Sequence, residues 1–120
     1  MPRGQRARVE RNEELLPSEL LHVEAQGSGT ETTITLEGDL DMSTTDQFGG
    51  CVREVLEQHP TSIAIDAHGV GFIDSSGLRS LLLARAAAEQ AGVAFRISQP
   101  SPAVRRMVER TGVHALLLDD

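Results

Sequence analysis

Between Glu31 and Gly38 polar and apolar residues alternate, and Thr32, Thr33, Ile34 and Thr35 are β-branched, a pattern that predicts the most clearly marked strand of the chain. Leu20 to Ala25 predicts a strand before it. The short glycine-rich turn Gln26-Gly27-Ser28-Gly29 joins the two as a hairpin. Phe48, Val52, Val55 and Leu56 then recur at i, i+4, i+7 and i+8, one apolar stripe of a helix facing a sheet, with Ser43 and Asp46 placed as a capping pair and His59-Pro60 as the stop. Ser62 to Asp66 is a short apolar run of the kind a covered parallel strand shows, followed by a loop over Ala67 to Gly71. Leu78, Leu81, Leu82 and Arg85 fall at helical spacing among strong helix formers, and Gly92 ends that helix. Val93 to Ile97 predicts another strand. Ser101-Pro102-Ala103-Val104 opens a helix with proline at the tolerated first position, buries Val104, Met107 and Val108, and stops at Thr111-Gly112. Ala115 to Leu118 predicts a last short strand.

Strands alternating with helices imply an α/β domain with right-handed crossovers. The expected architecture is a mixed, largely parallel sheet of four to five strands with three to four helices. Residues 1 to 18 mix Arg3, Arg6, Arg8 and Arg11 with Glu10, Glu13 and Glu14 and little apolar content, which predicts a flexible arm ahead of one domain over residues 19 to 120. No internal repeat is evident.

The chain is organised around Gly71 to Leu78, where a buried strand passes through Asp74-Ser75-Ser76-Gly77 directly into a helix. The first amides of a helix need acceptors, and the helix dipole favours negative charge there. On the plain reading Ser75 or Ser76 is an N-cap and Asp74 adds charge to the first turn. On the sharper reading one serine is a covalent switch. A phosphate adds about −1.5 to −2 charges and three acceptor oxygens, and a helix N-terminus tolerates that charge, so the effect of modification falls on a partner.

Charge and composition narrow the function classes. The formal net charge is −7, and all eleven basic residues are arginine. An acidic chain is a poor match for nucleic acid or an anionic membrane, and the absence of lysine removes Schiff-base and P-loop chemistry. Phe48, Phe72 and Phe95 are the only aromatic residues, too few for a base-stacking platform. Cys51 is the sole cysteine, which excludes an internal disulfide, fits a cytoplasmic location and reads as a packing residue. No uncharged apolar run reaches the ~18 residues of a membrane span, and the basic start lacks the apolar region of a secretory signal. His22, His59, His68 and His114 show no metal-ligand spacing, and no cofactor is expected.

Taken together, Gly38-Asp39-Leu40-Asp41 after a strand, Val70-x-Phe72-Ile73-Asp74-Ser75-Ser76-Gly77-Leu78, and Ser101-Pro102-Ala103-Val104-x-Arg106 closed by Thr111-Gly112 form an ordered set over about residues 19 to 118. This set resembles the STAS domain, and more closely the bacterial anti-sigma factor antagonists. The resemblance implies a partner-switching protein in transcription regulation. When unphosphorylated, such an antagonist binds an anti-sigma factor that is also a serine kinase, and so frees a sigma factor. Phosphorylation ends the binding, and a PP2C-type phosphatase restores it. Carried onto this chain, the phosphoacceptor is Ser75, with Ser76 the second choice. Asp41, Asp74, Ser76, Gly77 and Arg79 become the partner-binding positions: Asp41 rims the surface or orients the acceptor, Asp74 holds the hydroxyl, and Gly77 leaves room for a partner's backbone. Asp41 and Asp74 also read as turn and capping residues. Arg79 departs from the family pattern, which commonly has glycine there. It lies four residues after Ser75, within reach of a phosphate in the same chain, or is simply a solvated arginine.

An enzyme would use Ser75 or Ser76 as nucleophile with His68 and Asp66 or Asp74. The chain lacks a Gly-x-Ser-x-Gly elbow, and His68 shows no evident orienting partner, so a non-enzymatic role is expected. The competing readings are a scaffold subunit of a stress-signalling assembly and a soluble component of a lipid-transport complex.

Overall fold

A computed structural model describes residues 20 to 113. Four strands, β1 (Leu21–Ser28), β2 (Glu31–Leu40), β3 (Ser62–Ile73) and β4 (Ala94–Pro100), form one sheet in that order. Three helices follow β2, β3 and β4 respectively: α1 (Thr45–Leu56), α2 (Ser75–Gln90) and α3 (Pro102–Thr111). β1 and β2 pair antiparallel, and β2 with β3 and β3 with β4 pair parallel. The fold is the expected α/β architecture with a mixed, largely parallel sheet. The strand expected at Ala115 to Leu118 and the arm over residues 1 to 18 lie outside the described residues.

Both crossovers step in the same direction across the sheet, so one crossover hand puts α1 and α2 on one face, and the two helices do touch. That face holds the core. Ile34, Leu36, Ile63 and Ile65 of the two central strands are sealed off from solvent together with Phe48 of α1, Leu81 of α2 and Val104 of α3. Alternation sends Thr33, Thr35 and Glu37 to the other face of β2, where they are half or fully exposed.

Three local expectations change. β1 runs on through Gln26, Gly27 and Ser28, pairing Ser28 with Glu31, so the hairpin turn is Gly29-Thr30. Ala67 to Gly71 is not a loop but the continuation of β3. Ala67 and Val70 stay buried while His68 is exposed, and register shifts against β2 absorb the irregularity. Glycine at position 69 avoids crowding at that shift, because a Cβ there would stand 2.7 Å from Cγ of Glu37. The capping pair of Ser43 and Asp46 does not form. α1 begins at Thr45 after Thr44, which caps without a side-chain bond to the helix amides.

α3 starts as its sequence indicates: Pro102 occupies the first turn, and Ser101, itself buried, accepts a hydrogen bond from the Val104 amide at 3.1 Å.

Candidate functional site

Leu40 and Ile73 are the last paired residues of two parallel neighbouring strands. The chain therefore leaves the sheet at Asp41 and Asp74 side by side, on strands about 4.8 Å apart. The Asp74 amide donates to the Leu40 carbonyl across this gap at 3.4 Å, tying the two exits together. Loops at the carboxyl edge of parallel strands are where α/β sheets present functional groups.

Each exit is a rigid turn with an aspartate at its head. After β2, Asp41 Oδ1 accepts from the Ser43 amide at 2.9 Å and from the Ser43 hydroxyl at 2.7 Å. Below it, the fully buried Thr44 hydroxyl accepts from the Asp41 amide at 3.0 Å and lies 3.0 Å from the Asp39 carbonyl, to which it donates. After β3, Asp74 is the N-cap of α2. Its backbone is extended, and its Oδ1 accepts from the Gly77 amide at 2.8 Å.

Neither serine caps the helix; Asp74 does. Ser75 is the first helical residue and is exposed, and its hydroxyl has no hydrogen-bond partner among the described residues. Ser76, one residue further, is half-buried. Asp74, expected to hold the serine hydroxyl, directs Oδ1 to the Gly77 amide, and no hydrogen bond joins it to Ser75 among the described residues. The reason is geometric: an extended aspartate one residue before the helix points its oxygens down at the amides of the first turn.

Gly77 also has a role inside the fold. It is buried, and a Cβ on it would stand 2.1 Å from the Leu40 carbonyl oxygen and 2.9 Å from Cγ1 of Ile73. The glycine makes room for the chain's own β2. Its carbonyl accepts from the Ser80 hydroxyl at 2.6 Å, tightening the first turn of α2. Arg79 is exposed, one helical turn beyond Ser75, and makes no ion pair among the described residues.

The structure thus gathers Asp41, Asp74, Ser75 and Ser76 at one edge of the sheet, with Arg79 one turn up the helix. Sequence reasoning missed Thr44, whose buried hydroxyl holds the Asp41 turn. It also missed Met42 and Phe72, 74% and 51% exposed, in the Asp41 turn and at the end of β3. The signal for Met42 was a large apolar side chain inside a polar segment. For Phe72 it was strand alternation, which turns it away from the face that buries Ile73.

Two other groups read differently in three dimensions. His68 Nδ1 lies 2.6 Å from Asp66 Oδ1, so the histidine does have a partner; that hydrogen bond and the Asp66 charge, with Glu37 adding, raise its pKa above the ordinary histidine value. No hydrogen bond links it to either serine among the described residues. Cys51 is half-buried, and burial, with Glu54 adding, pushes its thiol pKa up, as suits a packing residue. No group of three or more His, Cys, Asp or Glu that could hold a metal ion occurs among the described residues. No described helix is long and apolar enough to cross a membrane.

Comparison with known proteins adds the family. The family model described as Mlab, STAS domain, matches residues 23–119. The chain belongs to the STAS domain family. No match is found among curated protein sequences. An anti-sigma factor antagonist from Mycobacterium paratuberculosis is similar in structure, with TM-score 0.71 and 22% identity, over 81% of this chain and 82% of that one. The anti-sigma factor antagonist SpoIIAA in its unphosphorylated form gives TM-score 0.69 and 23% identity over 82% and 87%. The Bacillus cell fate determinant SpoIIAA in its phosphorylated form gives 0.63 and 21% over 82% and 90%. At these identities the likeness establishes the STAS fold.

Proposed function

We propose that this STAS domain is an anti-sigma factor antagonist that acts by binding rather than by catalysis. Unphosphorylated, it binds a kinase-type anti-sigma factor in the cytoplasm and releases a sigma factor; phosphorylated on Ser75, it lets go, and a PP2C-type phosphatase resets it. The observation that carries this reading is the exposed Ser75 hydroxyl, which has no hydrogen-bond partner among the described residues, Asp74 performing the capping. Structural likeness to proteins named as anti-sigma factor antagonists supports the same reading.

The chemistry is a phosphoryl transfer. A bond forms from Ser75 Oγ to the γ-phosphorus of ATP held by the partner, the bond to the ADP oxygen breaks, and the hydroxyl proton leaves to a base on the partner. The product is a dianion at the centre of the docking edge. Desolvating it in an interface costs several kcal/mol unless it is paired, and a loss of about 3 kcal/mol weakens binding more than a hundredfold. The fold itself need not change, since Asp74 keeps its cap and the helix dipole favours the added charge.

The test is incubation of the full chain with ATP and the kinase-type anti-sigma factor that co-purifies with it, followed by mass spectrometry and binding measurements. One phosphate is expected, on Ser75. Ser75→Ala is expected to bind constitutively and Ser75→Asp to bind at least a hundredfold more weakly. A phosphate elsewhere, or equal binding by both variants, removes the assignment. A scaffold subunit or a lipid-transport component would instead bring down a multisubunit assembly or a transporter ATPase.

A further inference from the structure

Two arginines on the described helices pair with an acid four residues on. Arg85 reaches Glu89 at 3.1 Å and Arg105 reaches Glu109 at 3.8 Å. Arg79 has no such neighbour. The positions three and four residues to either side of it are Ser76, Ser75, Leu82 and Leu83, and none carries a charge. It is exposed and without an ion pair among the described residues, and the first turn of α2 has no acidic residue after the cap.

Side chains four apart on a helix are neighbours, with Cβ atoms about 6 Å apart, and the favourable order puts the negative group on the N-terminal side. Ser75 and Arg79 hold that spacing and that order, lacking only the negative charge. A phosphate on Ser75 would supply it, with three oxygens that match the two-pronged guanidinium.

We infer that Arg79 is the built-in counter-charge for a phosphate on Ser75. This rests on the reading of Ser75 as the phosphoacceptor. In the unmodified protein Arg79 is free to face an acidic group of the docked partner. In the modified protein it is drawn back onto the phosphate. One modification therefore places a charge at the interface and withdraws a basic side chain from it, and the modified first turn is held within the chain.

The test installs phosphoserine at position 75 of the full chain during translation, so that no kinase is needed, and follows the second ionisation of the phosphate by 31P NMR. An ordinary phosphoserine titrates at about pH 6. With Arg79 present the midpoint is expected to lie about 0.4 pH unit below that of the Arg79→Ala form, the size of one exposed helical pair read as a pKa shift. Arg79→Lys is expected to recover part of the difference, and about 1 M salt to erase it. Any lowering due to the helix N-terminus is common to all forms and cancels. Equal midpoints in the parent and the Arg79→Ala form overturn the inference. Failure of the partner kinase to modify Ser75 would sink the proposed function while leaving this titration readable, so the two failures are distinguishable.

Discussion

The carbonyl oxygen of Leu40 occupies the space a side chain at Gly77 would need: a Cβ there would lie 2.1 Å from it. The end of β2 and the first turn of α2 are therefore in backbone contact, and the contact positions Ser75 relative to Asp41. Gly77→Ala is expected to destabilise the domain by about 3 kcal/mol, the upper part of the usual overpacking range, because the clashing atom is backbone and cannot rotate away. Denaturant unfolding checks the size. A variant within about 0.5 kcal/mol of the parent would show that the two segments separate freely.

The Asp74 carboxylate accepts one hydrogen bond among the described residues, from the Gly77 amide at 2.8 Å. Asp74→Ala is expected to cost about 1 kcal/mol, the usual value of an N-cap, and Asp74→Ser to recover most of it. If Asp74 serves only the helix, the serine variant also recovers partner binding. Binding that stays lost in a variant of restored stability would identify the carboxylate as a contact. Unfolding and binding measured on the same two variants separate these outcomes.

The pair of His68 and Asp66 gives the domain a pH-dependent term. The hydrogen bond to Asp66 raises the histidine above its ordinary 6.5, and the sign follows: a raised folded pKa means stabilisation that is full below the unfolded value and is lost as pH rises through the folded one. Comparing unfolding at about pH 5.5 and about pH 8.5, the parent is expected to lose more stability than Asp66→Asn on going to the higher pH. An NMR titration of His68 should move toward the ordinary value in the variant. An unmoved midpoint would remove Asp66 as the cause.

Most of the architecture was legible because it rests on local periodicity. The stripe of Phe48, Val52 and Val55 faces the core as its spacing demands, and Ser101-Pro102 begins α3 where its chemistry places it. What sequence could not give were relationships between segments. Ala67 to Gly71 read as a loop because its glycines are turn formers in isolation; only pairing with β2 makes it strand. Gly77 also makes room for the carbonyl of Leu40, far away in the chain, which no local pattern shows. At the site, the order Asp-Ser-Ser left open which residue caps. The backbone settled it, since only Asp74 is extended and aimed at the first-turn amides.

Thr44 shows how a residue without evident chemistry can govern the site. Its side chain is fully buried, and its hydroxyl accepts from the Asp41 amide while donating toward the Asp39 carbonyl, so it fastens the turn that carries Asp41 and Met42 beside Ser75. Thr44→Val keeps the shape and removes these bonds, together with the 3.2 Å contact of the hydroxyl to the Asp41 carbonyl, leaving a part-buried amide unsatisfied. The expected cost is about 1 to 3 kcal/mol. Ser43 bonds to the same aspartate from an exposed position, and Ser43→Ala is expected to cost under about 0.5 kcal/mol. Amide hydrogen exchange on Asp41 to Thr44 should accelerate in Thr44→Val and stay near the parent rate in Ser43→Ala. If exchange and stability respond equally in both, the turn is held from its surface and not from beneath.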